Sequence, residues 1–167
     1  MNRSTKKMVT LGLCTSVALI LAYVETLIPP ILAAIPGVKL GLPNIAIIFI
    51  LYSYGVWEAA AVSGVRLLAV SMLFGNPVTF AYGAAGAVLS LAGMVLLKRT
   101  NFLSTVGVSV AGGVLHNVGQ ILMAMLLLGT AELFYYLIIL AITGTVSGIF
   151  VGLCGNFAIK RIKVTKL

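Results

Sequence analysis

The sequence of 167 residues contains no aspartate, and its only acidic side chains are three glutamates. Without aspartate the chain cannot build the aspartate-rich diphosphate–Mg²⁺ site of a prenyl synthase, which needs clustered hard oxygen ligands. One histidine and two cysteines far apart in the chain provide no ligand set for zinc or haem. No GxxxxGK[ST] loop is present, and no serine or cysteine has an evident base beside it. We therefore expect a protein that is not an enzyme and holds no cofactor of its own.

Charged residues of both signs are scarce, while apolar residues dominate the composition. Charged side chains make up 8% of the sequence and hydrophobic ones 61%, whereas a soluble domain carries roughly 25% charged residues. Successive apolar runs of about 18 residues or more are typical of transmembrane helices. These runs do not alternate with a period of two, which argues against a membrane β-barrel. The composition therefore predicts an all-α membrane protein, with one integral membrane domain over residues 1–167.

The apolar runs, and the proline and glycine residues between them, predict six transmembrane helices. The first run follows a basic start, as in a signal peptide, but it is too long and no small-residue cleavage site precedes Pro29 and Pro30. We therefore assign it as a helix of the mature protein. The predicted helices cover residues of about 9–28, 44–54, 57–74, 78–97, 104–128 and 132–159.

The net charge of +8 comes from basic residues that cluster around the predicted helix ends on one side. Basic residues concentrate in cytoplasmic loops, so this pattern indicates topology and gives no reason to expect a nucleic-acid partner. It predicts cytoplasmic N- and C-termini in a multi-pass protein of the bacterial cytoplasmic membrane. A polybasic tail that contacts anionic lipid is a secondary possibility. The clustered residues are Arg3, Lys6, Lys7, Lys98, Arg99, Lys160, Arg161, Lys163 and Lys166.

A few polar residues fall inside the predicted membrane layer, where an ionisable side chain is costly and indicates a functional site by default. A rise of about 1.5 Å per residue places Glu25 and Asn44 in the outer half and Arg66 near mid-span. Lys39 is the one cation of the predicted outer loops, in the Pro- and Gly-rich linker "AAIPGVKLGLP". That linker could fold over an outward-facing cavity as a lid.

The segment "GGVLHNVGQ", residues 112–120, carries three hydrogen-bonding side chains in the fifth helix. At 100° per residue, His116, Asn117 and Gln120 fall within an arc of about 100°, so they share one helix face. We predict that these residues meet the other buried polar groups in a solute-binding cavity. The predicted site consists of Glu25, Lys39, Asn44, Arg66, His116, Asn117 and Gln120.

Structural roles remain open for the same residues. The polar face of the fifth helix could tie helices together through hydrogen bonds of about 1 kcal/mol each. Arg66 could be neutralised by Glu25 in a buried structural pair. Small residues also recur at helix-contact spacing, as AxxxA at Ala18 and Ala22 and as GxxxGxxxG at residues 144–152. For the glycine stripe we favour packing within the chain.

Three parts of the sequence carry a resemblance to a known family: "IPGVKLGLPNI" at residues 35–45, "GGVLHNVGQ" and the helix of Arg66. They resemble the heptaprenyl diphosphate synthase component I family, also called the Gx transporter family. The architecture is also similar to the S component of energy-coupling factor (ECF) transporters. That second resemblance implies six helices, a small solute bound near the outer face, and partners that comprise a transmembrane coupling subunit and two ATPases that use ATP. It also implies that the face of Ala18 and Ala22 docks on the coupling subunit.

The leading hypothesis is therefore a substrate-binding membrane subunit of an ECF-type importer. It would capture a small solute, either anionic or a vitamin or cofactor precursor, with Arg66 and Lys39 holding its anionic group. Glu25 would pair with Arg66 or contact the ligand. The alternative, motivated by the family name, is a non-catalytic membrane subunit of a prenyl diphosphate, quinone or flavin-linked redox assembly. A channel is less well supported, because the sequence has no charged ring or hydrophobic gate pattern.

Overall fold

The protein is described by a computed structural model that covers residues 2–27 and 41–162. Within those ranges the fold is all-α, as predicted, and no strand is present. A short 3-10 helix, Glu132–Tyr136, leads into the last α-helix. Lys39, Pro29, Pro30, Lys163 and Lys166 lie outside the described residues. The six α-helices are α1 (Arg3–Leu27), α2 (Asn44–Ser53), α3 (Val56–Phe74), α4 (Pro77–Thr100), α5 (Thr105–Leu128) and α6 (Leu137–Arg161).

The helix bounds agree with the prediction for α2 to α5 within about three residues, whereas α1 begins at Arg3 instead of near residue 9. Hydropathy marks where a helix enters the lipid, and α1 continues beyond that point through lysines that are good helix formers. Capping residues explain where two of the other helices, α4 and α5, begin. Asn76 and Thr79 form a capping box before α4, with Pro77 in its first turn. Ser104 caps α5 by accepting a hydrogen bond from the Gly107 amide at 3.2 Å.

Five helices of the described chain are long and apolar enough to cross a membrane, and α2 is the exception. Its 10 residues rise about 15 Å, which is half of a hydrocarbon core of about 30 Å. Ile48, Ile50 and Leu51 are nevertheless fully buried by the rest of the bundle. The second of the six predicted helices is thus a short internal helix in the described residues, and α2 is shielded from lipid by its neighbours.

The helix ends sort into two sides, and the basic residues gather at one of them, which we call the basic end. Lys7 on α1 lies 2.5 Å from Glu58 on α3, so these two helices begin together. The Lys98 ammonium at the end of α4 donates to the Leu51 carbonyl at the end of α2. Ile159, near the end of α6, packs against the same core cluster that contains Leu51. The N-terminus of α1 and the C-terminus of α6 therefore lie at the same end of the bundle, the basic end.

The charges differ between the two ends of the described bundle, whereas exposed aromatic residues occur at both ends, as is typical of a membrane protein. The described part of the end opposite the basic end holds Glu25 and Glu132 but no lysine or arginine. Trp57 at the basic end and Tyr135 at the opposite end are 84% and 81% exposed. Aromatic side chains of this kind anchor proteins at both interfaces of a bilayer. The basic end carries Lys6, Lys7, Lys98, Arg99, Lys160 and Arg161.

The three C-terminal helices pack closely through small residues. A Cβ added to Gly148 on α6 would lie 2.6 Å from the Val110 Cα atom on α5. On the other side of α5, a Cβ on Gly119 would lie 2.6 Å from the Ala85 carbonyl oxygen of α4. Neither position admits even a methyl group without backbone movement. The glycine stripe of α6 therefore packs within the chain, which is the use that we favoured from the sequence.

The AxxxA face of α1, at Ala18 and Ala22, is buried in the bundle. Ala18 is fully buried and Ala22 is 7% exposed, because α1 packs against α2 and α3 on this side. Small side chains permit close helix approach, and here the chain's own helices use that property. The docking role of Ala18 and Ala22 on a partner protein stays a prediction, and in this structure the face is covered by the chain's own helices. The surface of α1 that faces away from the bundle carries larger residues instead, including Leu13 and Ile20.

Candidate functional site

A cavity of about 180 Å³ lies in the half of the bundle away from the basic end. The last turns of α1, the turn before α2 and the second half of α3 form one wall. The start of α4 and the middle of α5 and α6 form the other. Its polar lining is unusually rich for the interior of an apolar bundle and comprises Glu25, Thr26, Asn44, Arg66, Ser71, Thr79, His116, Asn117, Gln120 and Ser147.

Six of the seven predicted site residues line this cavity, and Lys39 falls outside the described residues. Their role in binding stays a prediction, whereas their common location is a property of the fold. No pattern in the sequence pointed to the hydroxyl groups in the lining. Ser71 and Ser147 bond to carbonyls of their own helices, at 2.9 and 3.2 Å, and such residues are common in membrane helices. Only the helix packing brings them to the cavity.

Arg66 is the one cation that lines the cavity among the described residues. Its Nη1 atom donates to the Asn44 side-chain oxygen at 3.4 Å. Glu25 attracts Arg66 electrostatically, but the two do not form an ion pair. Within the described ranges the sole ion pair shorter than 4.0 Å is that of Lys7 with Glu58 at the basic end. A guanidinium has five N–H donors, so the single long bond to Asn44 leaves Arg66 with donors to offer a ligand.

Glu25 holds the turn that precedes α2. One of its carboxylate oxygens accepts a hydrogen bond of 2.5 Å from the Gly41 backbone N–H. Gly41 has a φ of +70°, a left-handed conformation that favours glycine, and its carbonyl accepts from the Asn44 N–H at 2.9 Å. The turn is therefore held from α1 by Glu25 and from α3 by Arg66, through Asn44. The two charged residues of the cavity thus also position part of its wall.

The polar face of α5 divides between two roles. Asn117 is buried, and its side-chain amide donates to the Leu140 carbonyl of α6 at 2.6 Å. This bond ties α5 to α6, as the structural alternative proposed. Gln120, one turn further along, lines the cavity without a hydrogen bond to any residue that the structure describes. The alternative therefore holds for Asn117, while Gln120 presents its amide to the cavity.

His116 occupies a third position on this face. Its ring lies against α4, where a Cβ on Gly86 would come within 2.9 Å of the His116 Cε1 atom. The glycine at this point therefore makes room for the imidazole, and His116 still contributes to the cavity lining. No three of His, Cys, Asp and Glu come together as a metal site among the described residues. The polar groups that the described residues bring to the cavity are amides, hydroxyls, one imidazole, one guanidinium and one carboxylate.

The chain can be compared with known proteins once this geometry is established. A family model described as heptaprenyl diphosphate synthase component I matches residues 14–158, which is most of the sequence. The chain belongs to this family. The match confirms the resemblance to this family that we found in the sequence, and it includes all of the described residues that line the cavity. Searches of curated proteins and of solved structures found no significant match.

Proposed function

We propose that this member of the heptaprenyl diphosphate synthase component I family is the substrate-binding subunit of an ECF-type importer in the bacterial cytoplasmic membrane. The observation that carries the proposal is the cavity around Arg66. A charged side chain at membrane depth is costly, and this one has a single long hydrogen bond and no ion pair with Glu25. A bound solute with an anionic group would satisfy the guanidinium, which favours recognition over a purely structural role.

The position of the cavity supports uptake from outside. The excess of lysine and arginine at the basic end favours a cytoplasmic location for that end. The cavity lies in the opposite half of the bundle, between the end of α1 and the start of α4. It then faces the outer leaflet, where an importer first meets its solute. Both described chain ends would be cytoplasmic in this orientation.

The chemistry of the lining supports a small polar solute. The Arg66 guanidinium can hold a carboxylate or phosphate through two parallel hydrogen bonds, which a lysine cannot do. Gln120 and Asn44 add amide donors and acceptors that can orient the rest of the molecule. A cavity of about 150 Å³ accommodates a benzene-sized molecule, so about 180 Å³ suits a compact solute.

Energy for release would come from partner subunits. The chain has no phosphate-binding loop for ATP, so a transmembrane coupling subunit and two ATPases would drive the conformational cycle.

The second candidate follows from the family description, which names one component of a heptaprenyl diphosphate synthase. In that case the chain would be a non-catalytic membrane subunit that supports a soluble synthase. The absence of aspartate still argues against a diphosphate–Mg²⁺ site on this chain. A polyprenyl chain is also far larger than a cavity of about 180 Å³.

Affinity purification of the full chain from its native membrane, in mild detergent, separates these functions. Mass spectrometry would identify both co-purified proteins and extracted small molecules. The proposal predicts ATPase and coupling subunits together with a small anionic or partly anionic solute, and loss of that solute in Arg66→Gln. The matched control is Arg99→Gln, which removes an exposed arginine at the basic end and leaves the solute bound. Recovery of a prenyl synthase subunit without any solute would establish the second candidate instead.

A further inference from the structure

We infer that a second, smaller cavity beside the Arg66 cavity binds one hydroxyl-type oxygen, either a water molecule or a hydroxyl group of the solute. This cavity has a volume of about 20 Å³ and lies among α2, α4, α5 and α6. We call it the serine cavity, because Ser90, Ser109 and Ser147 line it. The site goes beyond the proposed function, and only a solute hydroxyl as its occupant rests on that function.

Two buried hydroxyl groups carry the inference. Ser90 on α4 is 6% exposed, and Ser109 on α5 is 4% exposed. Neither side chain makes a hydrogen bond to a residue that the structure describes, whereas Ser147 bonds to the Gly144 carbonyl of its own helix. A buried hydroxyl without a partner costs free energy. Two such groups on one cavity therefore indicate a ligand that bonds to both.

The helix packing directs both side chains into the space between the helices. A Cβ added to Gly112 of α5 would lie 3.3 Å from the Ser90 Oγ atom, so this hydroxyl faces α5. Ser109 lies against α6, where a Cβ on Gly152 would come within 2.9 Å of the Ser109 Cβ atom. Among the described residues, every fully enclosed side-chain oxygen or nitrogen has a partner. The two unbonded hydroxyls therefore border space that a water-sized group can enter, and the serine cavity provides that space.

The volume of the serine cavity suits a single oxygen atom. A buried water molecule needs roughly 10–15 Å³ of such space and about two to four polar partners. The cavity offers about 20 Å³, and Asn44 lines it together with the serines. A water or alcohol oxygen both donates and accepts hydrogen bonds, as the serine hydroxyls do. One such oxygen can therefore satisfy Ser90 and Ser109 at the same time.

Asn44 connects the serine cavity with the larger one, because this residue lines both. Its side-chain oxygen accepts from Arg66 at 3.4 Å, so its amide N–H groups are the atoms that can donate to an oxygen in the serine cavity. No carboxylate of the described residues lines the serine cavity. Neutral ligands beside a guanidinium make a poor site for a metal cation. The lining therefore favours a neutral oxygen, and the shared wall gives a solute at Arg66 a route to this position.

The sign of the stability change on serine-to-alanine substitution tests the site. Alanine is the better helix former, so replacing a buried serine that has no partner should leave the melting temperature unchanged or raise it. If the hydroxyl bonds to an oxygen in the cavity, the same replacement breaks that bond. We expect Ser90→Ala and Ser109→Ala each to lower the melting temperature of the full chain in lipid nanodiscs by about 2–4 °C.

Ser63→Ala is the matched control. Ser63 on α3 is 8% exposed, has no hydrogen bond to a described residue and lines neither cavity. This variant should melt at the same temperature as the unmodified protein or above it. The combination of Ser90→Ala with Ser109→Ala should lower the melting temperature by less than the two single falls added together, because both variants lose bonds to the same oxygen. Fully additive falls would overturn the shared oxygen.

Two preparations distinguish water from a solute hydroxyl. One keeps the small molecules that co-purify with the chain, and the other is dialysed until native mass spectrometry shows the mass of the protein alone. A fall in the dialysed protein identifies water as the occupant, and a fall confined to the loaded protein identifies a hydroxyl of the solute. If Ser90→Ala and Ser109→Ala behave like Ser63→Ala in both preparations, the site is overturned.

Failure of this inference and failure of the proposed function are separate outcomes. If no small molecule co-purifies with the chain, the proposed function loses its support, and the dialysed protein alone decides the inference. A fall then establishes the water site, and no fall overturns it. If a solute is bound and both serine variants are as stable as the control, solute binding at Arg66 stands without the serine cavity.

Discussion

The two halves of the bundle use their helix contacts in different ways. Helices α4, α5 and α6 meet through glycines whose backbones approach closely, as at Gly113, where an added Cβ would lie 2.4 Å from the Gly144 carbonyl oxygen. Helices α1, α2 and α3 also pack at Ala18 and Ala22, and polar side-chain bonds join them in addition, from Glu25 to Gly41 and from Arg66 to Asn44. Close packing makes the first half rigid. Helices α1, α2 and α3 form a charged wall of the cavity against the closely packed helices α4, α5 and α6. A solute can compete for the hydrogen bonds of this wall.

The largest effect should come from filling a glycine contact of the rigid half. Gly148→Leu places a side chain where a single Cβ already lies 2.6 Å from the Val110 Cα atom, so α5 and α6 must separate. We expect the variant to fail to fold, measured as loss of the monodisperse peak in size-exclusion chromatography. Gly64→Leu is the matched control, because a Cβ on Gly64 of α3 has no atom within 4 Å. Equal behaviour of the two variants would contradict the contrast between the halves.

The next largest effect is expected at the cavity wall, where a substitution should change the affinity for the solute but leave the stability of the protein nearly unchanged. Arg66→Gln removes the cation while keeping a side chain that can hydrogen-bond. We expect solute affinity to fall by more than roughly tenfold, because the partner charge of the solute is left unpaired. The melting temperature should change little, since no ion pair with Glu25 is broken and glutamine can still bond to the Asn44 side chain. A large loss of stability with unchanged affinity would show that Arg66 is structural.

A paired substitution on α5 tests the division of its polar face. Asn117→Leu removes the bond to the Leu140 carbonyl and should lower the free energy of unfolding by about 1 kcal/mol. Gln120→Leu removes a side chain without a hydrogen bond to the described residues, so it should leave stability nearly unchanged and weaken solute binding. Denaturant titration and calorimetry measure the two effects. The reverse pattern would mean that Gln120 is the structural residue.

The smallest effect is expected at the basic end. Lys7 and Glu58 form an ion pair of 2.5 Å between partly exposed side chains, and exposed pairs contribute only about 0–1 kcal/mol. Lys7→Gln and Glu58→Gln, singly and together, should therefore change stability little in a double-mutant cycle. A coupling energy of several kcal/mol would make this pair a main attachment of α1 to α3.

The sequence predicted the class of fold and six of the residues that meet at the cavity, because apolar runs and rare polar residues are strong signals in a membrane protein. Helical phase alone placed His116, Asn117 and Gln120 together. Helical phase could not show that these three residues have different roles. Asn117 is the residue that bonds to the Leu140 carbonyl of α6, and no local sequence pattern predicts the position of that carbonyl. Ala18 and Ala22 show the same limit. Their spacing predicted a close contact, but the contact is with the chain's own helices.

The burial of α2 was beyond a sequence argument, although the prediction for residues 44–54 already made it a short helix. Its apolar residues resemble those of any membrane helix, and only the fold shows that neighbouring helices bury a segment of 10 residues. Likewise, the attraction between Glu25 and Arg66 was foreseen, whereas their separate hydrogen bonds to Gly41 and Asn44 depend on the turn that precedes α2.

We propose that Arg66 recognises a small solute inside the bundle. Native mass spectrometry of the intact protein can show whether this solute is bound. Protein released from nanodiscs prepared from the native membrane should carry an added mass that matches one small molecule. That mass should be present with Arg99→Gln and absent with Arg66→Gln. If every variant has only the mass of the protein alone, or if the added mass persists in Arg66→Gln, Arg66 does not recognise a bound solute.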